Sequence, residues 1–97
     1  TEHCRKHKLV LIEDGAHVIG TRYNGKCNGS IADMTTLSFH PVKTVTCGEG
    51  GAVLTNSEEY YKKLILYRAH GITRAPEQME HEPDGSWYYE QIALGMN

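Results

Sequence analysis

Cysteine and proline are scarce in this sequence and long apolar runs are missing; each shortage removes a class of protein. The cysteines, Cys4, Cys27 and Cys47, are odd in number and widely spaced, which argues against a disulfide framework and fits a reducing compartment. No pair has zinc-ribbon spacing. His3 and His7 would share a helix face near Cys4, but solvated side chains on a helix end account for that pattern, and no metal is expected. No apolar segment is long enough to span a bilayer and no signal-peptide pattern is present, so the cytoplasm is the default and no membrane partner is expected. The formal net charge is −2 and there is no basic stripe, which sets nucleic acid aside. Repeats and low-complexity tracts are also lacking. A chain of 97 residues buries only roughly 60–65% of its unfolded surface, so it suits one small domain or part of a larger one. It begins Thr1-Glu2-His3 without methionine and stops at Leu94-Gly95-Met96-Asn97, ends expected of an internal fragment.

What is present reads as an α/β pattern. Residues Thr1 to His7 look like the last turns of a helix, with Arg5, Lys6 and Lys8 where cations favour a carboxyl end. Leu9-Val10-Leu11-Ile12 reads as a strand buried on both faces, with Glu13 and Asp14 at its carboxyl end. Gly15 to Gly20 is a short helix or turn. Gly20 to Ser30 is a hairpin-like excursion around Asn24-Gly25, in which Cys27 packs. A second apolar run, Met34 to Phe39, is a buried strand that Pro41 prevents from continuing. Ala52 to Thr55 forms a third strand. Asn56 caps a helix carrying Tyr60, Tyr61, Leu64, Ile65 and Tyr67 or Arg68 at helical spacing, and Gly71 supplies its left-handed stop. Ile72 to Ser86 reads as a long surface loop in which His81 has no evident partner, and Glu90 to Leu94 as one or two helical turns.

The chemistry gathers around Ser38-Phe39-His40-Pro41-Val42-Lys43 and Gly48-Glu49-Gly50-Gly51. Lys43 falls in the loop just past a strand's carboxyl end, where ligands sit in open α/β sheets. Ser38 offers a hydroxyl to a phosphate, and the glycines let backbone approach a ligand closely. Asp14 should reach the same edge. A lysine and a carboxylate so paired have a specific use with pyridoxal phosphate (PLP): the lysine holds the cofactor as an imine, and the carboxylate keeps the pyridine nitrogen protonated. The plainer alternative is a small non-catalytic binding or interaction domain in which Asp14 and Lys43 are a surface pair.

Glu13-Asp14-Gly15-Ala16-His17, Ser38 to Lys43 and Gly48-Glu49-Gly50-Gly51-Ala52-Val53 resemble the central motifs of the DegT/DnrJ/StrS-type sugar aminotransferases. Tyr67-Arg68-Ala69-His70-Gly71-Ile72 and Trp87-Tyr88-Tyr89-Glu90-Gln91 through Leu94-Gly95-Met96-Asn97 resemble the same family. The second of these is closest to the branch that aminates a UDP-4-keto-6-deoxy-hexosamine for pseudaminic acid. The resemblance covers essentially the whole chain. It implies the central part of the large PLP-binding domain of the aspartate-aminotransferase fold (type I) over residues 1–97, with a mixed sheet, flanking helices and no separate second domain. It further implies that Lys43 forms the imine, Asp14 pairs with the pyridine nitrogen, Ala16 packs on the ring, His17 lies near the phenolate oxygen and Ser38 binds the phosphate. Asn97 matches an asparagine that reaches the neighbouring subunit's phosphate in family homodimers. The implied reaction moves an amino group from glutamate to a UDP-linked keto sugar for surface glycan synthesis. Family members with histidine in place of the lysine are dehydratases, so Lys43 points to transamination. Gly15 stands where the family often has alanine, a departure expected to loosen the loop without removing a contact. The chain alone is expected to be catalytically silent and to self-associate through exposed sheet edges.

Overall fold

A computed structural model describes residues 2–96. The chain divides into two compact units, Thr1–Glu58 and Glu59–Asn97. In the first, helix α1 spans Glu2–Lys6, with Arg5 and Lys6 in its last turn, where they complement the helix dipole. Lys8 then adopts a left-handed φ of 53°, and the Leu9 amide closes the end on the Cys4 carbonyl at 2.8 Å. Strand β1 is Ile12–Asp14, shorter and later than the apolar run predicts. Leu9, Val10 and Ile12 are 55%, 49% and 60% exposed, so the expectation of a strand buried on both faces fails. The ladder runs out at Leu11, whose amide donates to the Asp33 carboxylate at 2.8 Å because the neighbouring strand begins only at Met34. No hydrophobic side chain among the described residues is buried.

Strands β2 (Arg22–Tyr23) and β3 (Lys26–Cys27) form the expected hairpin. Asn24 and Gly25 turn it with φ of 49° and 77°, the pair of positive values that a two-residue turn between antiparallel strands requires. Cys27 is exposed here and does not pack. Strand β4 (Met34–Ser38) is central and β5 (Gly51–Leu54) completes the sheet, in the order β1-β4-β5. β1 and β4 run parallel, with Glu13 opposite Thr35 and Asp14 opposite Thr36. β4 and β5 run antiparallel, Thr35 facing Leu54 and Ser38 facing Gly51. The sheet is therefore mixed. Its best-covered residue is Thr35, at 0% exposure.

In the second unit, helix α2 spans Glu58–Arg68. It starts one residue later than an Asn56 cap would give, since the residue flanking it is Ser57. Tyr60 and Leu64 are half-buried while Tyr61, Ile65 and Tyr67 are exposed, so only part of the predicted stripe packs. The helix ends as the sequence predicts: the Gly71 amide returns to the Leu66 carbonyl at 2.9 Å with φ of 70°. A β-carbon at Gly71 would overlap the Ala93 carbonyl. Strands β6 (Ile72–Thr73) and β7 (Glu90–Gln91) pair antiparallel, which replaces the helical turns expected after Tyr89. A short 3₁₀ turn, Pro76–Gln78, interrupts the intervening loop.

Glu90 ties that loop together. Its carboxylate accepts from the amides of Glu80 (2.7 Å) and His81 (3.0 Å) and from the Tyr88 hydroxyl (2.9 Å), and it pairs with His81 Nδ1 at 3.1 Å. His81 thus has a partner after all. The Glu80 amide, with the other donors, holds the Glu90 carboxyl down to about 2 despite partial burial. Hydrogen bonding to that carboxylate raises the Tyr88 phenol. Among the described residues no helix is long and apolar enough to cross a membrane.

Candidate active site

Because β1 and β4 are parallel, their carboxyl ends open on one edge of the sheet. Asp14 is the last residue of β1 and Ser38 the last of β4. Register and side-chain alternation put Asp14, Thr36 and Ser38 on one face and Glu13 with Thr35 on the other. The Asp14 carboxylate is exposed, and its Oδ1 accepts from the Ala16 amide at 3.1 Å, starting the turn that carries His17. That turn continues with the Val18 amide on the Gly15 carbonyl (3.1 Å) and the Thr21 amide on Val18 (2.9 Å).

Gly15 is buried, its amide bound to the Thr36 carbonyl at 2.8 Å. A β-carbon there would come within 2.7 Å of both Thr35 Cγ2 and the Thr36 carbonyl oxygen. The glycine therefore lets the turn press against β4, which corrects the expectation of a merely looser loop.

After β4 the chain enters the loop that carries Lys43. The Phe39 amide donates to Gly50 (2.8 Å) and the Cys47 amide to Phe39 (3.1 Å), closing the loop's base. The Lys43 amide donates to the His40 carbonyl at 2.9 Å, a four-residue turn with Pro41 at its second position, where the ring's fixed φ suits it. Lys43 is half-buried and its Nζ lies 2.9 Å from His17 Nε2. Ser38 is half-buried, with its Oγ 3.5 Å from the His40 amide. His40 and Glu49 stand 3.9 Å apart at the exposed rim. The fold thus joins Lys43 to His17 directly and puts Asp14 and Ser38 on one face at the same edge. Asn97 lies outside the described residues.

Glu13 has a role on the opposite face that its motif does not declare. Its carboxylate accepts from Asn28 Nδ2 (2.9 Å), the Gly29 amide (3.3 Å) and Thr35 Oγ1 (2.9 Å). It fastens the excursion to the sheet on the face away from Asp14. A depression of about 320 Å³ opens there, lined by Leu11, Glu13, Tyr23, Asn28, Ile31 and Ala32. The available signal was the strand period: two adjacent carboxylates cannot face the same side.

A mixed α/β sheet that delivers a primary amine, an imidazole and a carboxylate to one edge defines a class that comparison with known proteins makes specific. The chain belongs to the DegT/DnrJ/EryC1/StrS aminotransferase family, whose model matches residues 1–97. Among curated relatives, it is 41% identical over 94 residues to the UDP-4-amino-4,6-dideoxy-N-acetyl-beta-L-altrosamine transaminase of Campylobacter jejuni, covering 97% of this chain and 23% of that protein. Among solved structures it matches Helicobacter pylori PseC, an aminotransferase involved in the biosynthesis of pseudoaminic acid. That match has a TM-score of 0.81 at 33% identity, over 99% of this chain and 24% of PseC. It also matches E. coli GDP-4-keto-6-deoxy-D-mannose-3-dehydratase with bound hydrated PLP, with a TM-score of 0.65 at 33% identity, over 72% of this chain and 18% of that one. The chain spans about a quarter of the length of the first curated relatives it matches. Its fold class is that of the PLP aminotransferases, as the motifs imply.

Proposed function

We propose that this chain is the central part of the large PLP-binding domain of an enzyme that moves an amino group from glutamate to a UDP-linked 4-keto-6-deoxy sugar, in the branch that leads to pseudaminic acid. The observation that carries the reading is the delivery of the Lys43 amine, the His17 imidazole and the Asp14 carboxylate to one edge of the sheet. The donor set fits the cofactor. Lys43 offers an amine for an aldehyde carbon, Asp14 an exposed carboxylate for a pyridinium nitrogen, Ser38 a hydroxyl for a phosphate, and His17 an imidazole for a phenolate oxygen. Ala16, half-buried beside Asp14, supplies a small apolar surface for a ring face. When bound, PLP supplies an electron sink for the carbanion that forms at the carbon exchanging its amino group.

The protein's own residues do the rest. Asp14, as a fixed negative charge, favours the protonated pyridine nitrogen. Lys43, as a free amine, would be a base able to take a proton from the donor's carbon and return it elsewhere. Of the glycines between Gly48 and Gly51, Gly48 borders open space, whereas Gly50 packs on Cys47 and Gly51 on the Leu37 carbonyl, holding the loop's base close to β4. The presence of Lys43, where the family's dehydratases carry histidine, favours transamination. A cytoplasmic homodimer completes the proposal, with Asn97 reaching toward the partner's phosphate.

The test uses the longest natural polypeptide that carries this sequence. Incubation with PLP, reduction with borohydride and peptide mass analysis should place the added mass on Lys43, and Lys43→Ala should abolish it. Labelling of other lysines with Lys43 left unmodified would overturn the assignment. Glutamate with a UDP-4-keto-6-deoxy-hexosamine should then yield an aminated sugar; amination of a different nucleotide sugar would refute the branch alone.

A further inference from the structure

We propose that His17 is a positioning residue for the Lys43 ammonium when it is not bonded to an aldehyde: its Nε2 accepts a hydrogen bond from Nζ, which holds the ring as the tautomer protonated on Nδ1. The 2.9 Å separation of the two nitrogens carries this. A lysine ammonium has three donors and no acceptor, so the imidazole nitrogen facing it must be the acceptor. A neutral imidazole that accepts at Nε2 carries its hydrogen on Nδ1. A doubly protonated ring would set two cations against each other at that distance.

Hydrogen-bonded backbone holds both partners. His17 stands on the turn that Asp14 starts through Ala16 (3.1 Å) and the Val18 amide continues on Gly15 (3.1 Å). Lys43 stands on the turn closed to His40 at 2.9 Å. The side chains therefore meet because two anchored turns face each other at the sheet edge. A lysine stem has four rotatable carbons and scatters its ammonium widely when unheld. Fixing Nζ at the edge keeps the amine near Asp14's end of the sheet between the occasions on which it is bonded to an aldehyde carbon. That consequence for catalysis rests on the PLP reading; the hydrogen bond and the tautomer do not.

The experiment is a long-range proton–nitrogen correlation spectrum of the ¹⁵N-histidine-labelled natural polypeptide, freed of any bound aldehyde with hydroxylamine and kept in mildly alkaline solution, where a free imidazole is neutral. His17→Gln identifies the His17 signals by their loss. The expected pattern is a pyridine-type Nε2 and a pyrrole-type Nδ1, with Lys43→Met shifting both nitrogens as the acceptor role disappears. A pyrrole-type Nε2 in the unsubstituted protein overturns the proposal, and so does a pattern indifferent to Lys43→Met. The first of these outcomes is read in the unsubstituted protein, with His17→Gln serving only to assign the signals. Adding PLP separates the two readings. If no PLP attaches but His17 keeps its Nδ1–H form, the enzymatic assignment fails and this inference stands. If PLP attaches at Lys43 but the aldehyde-free protein had the other tautomer, the reverse holds.

Discussion

Replacing Glu13 should loosen the base of the site without touching it. Glu13 receives short bonds from Asn28 Nδ2 and Thr35 Oγ1, both 2.9 Å, and a longer one from the Gly29 amide at 3.3 Å. In Glu13→Ala all three donors lose their acceptor. Thr35 is 0% exposed, so its hydroxyl cannot turn to water. An unsatisfied buried donor costs about 1–3 kcal/mol and a hydrogen bond to a charged acceptor contributes about 1.5–3 kcal/mol. With the overlap between those two measures allowed for, the two short bonds set a loss of roughly 3–5 kcal/mol. Glu13→Gln should cost far less. Its carbonyl still accepts from Thr35, and its new amide can donate to Asn28 Oδ1 once the Asn28 amide turns over, which moves the unpartnered buried position from Oδ1 to Nδ2 and leaves one bond of the pair intact. The assay is native-state hydrogen exchange at the Gly15 and Gly29 amides in the natural polypeptide. At 1.4 kcal/mol per decade, Glu13→Ala should speed local opening by roughly a hundredfold to a few thousandfold, and Glu13→Gln by about tenfold or less. Equal exchange in the two variants, or less than tenfold change in the alanine variant, would refute the view that this carboxylate fastens the excursion to β4.

Three further outcomes are expected. Glu90, held down to about 2 chiefly by the Glu80 amide, has a folded-state value below its unfolded one. Its stabilisation of the 79–90 loop should therefore be complete above the ordinary carboxylate range and fall away as pH drops toward about 2; exchange at the Glu80 and His81 amides across that acid range reads it, and Glu90→Gln should remove the dependence. Gly71→Ala should destabilise the end of α2 by more than the roughly 1–2 kcal/mol of the left-handed backbone alone, because a β-carbon would overlap the Ala93 carbonyl; denaturant unfolding followed at Trp87 is the measurement. Asp14→Asn keeps an acceptor for the Ala16 amide (3.1 Å), so the turn should persist. PLP retention on dialysis should nevertheless fall roughly tenfold to a hundredfold with the loss of a charged hydrogen bond.

Much of this architecture could be read from particular residues. Pro41 after an apolar run placed the end of β4, and Asn24-Gly25 marked the hairpin. Gly71 marked the end of α2. Elsewhere the pattern was silent for physical reasons. The Leu9-Val10 stretch is as apolar as a strand, but a strand also needs a partner, and β4 offers none before Met34. β6 and β7 are two residues each, too short for any period to declare itself. The loop between them is tied to β7 by Glu90, whose loop donors, at Glu80 and His81, lie ten and nine residues away. At the site, Lys43 was legible from its position past a strand, whereas its contact with His17, 26 residues distant, depends on two turns whose approach no local pattern encodes.

The placement of Lys43 and Asp14 finally depends on the direction of one strand pair. Were β1 antiparallel to β4, Asp14 would lie at the amino end of β4, a strand's length from the loop that carries Lys43. Parallel pairing demands a crossover of roughly a dozen residues or more, and residues 15–33 provide it. The chain fixes the second half of that crossover at two places: the Leu11 amide on Asp33 where it returns to the sheet (2.8 Å), and Asn28 and Gly29 on Glu13 before that. The neighbouring carboxylates of β1 consequently have divided tasks. The side that alternation gives to Glu13 holds the crossover in place, and the side it gives to Asp14 stays exposed at the sheet edge from which the His17 and Lys43 turns depart. A single-residue slip in β1 would exchange them, leaving the crossover unfastened and turning its carboxylate clamp toward the site. Register, more than any single side chain, is what makes this edge chemically useful.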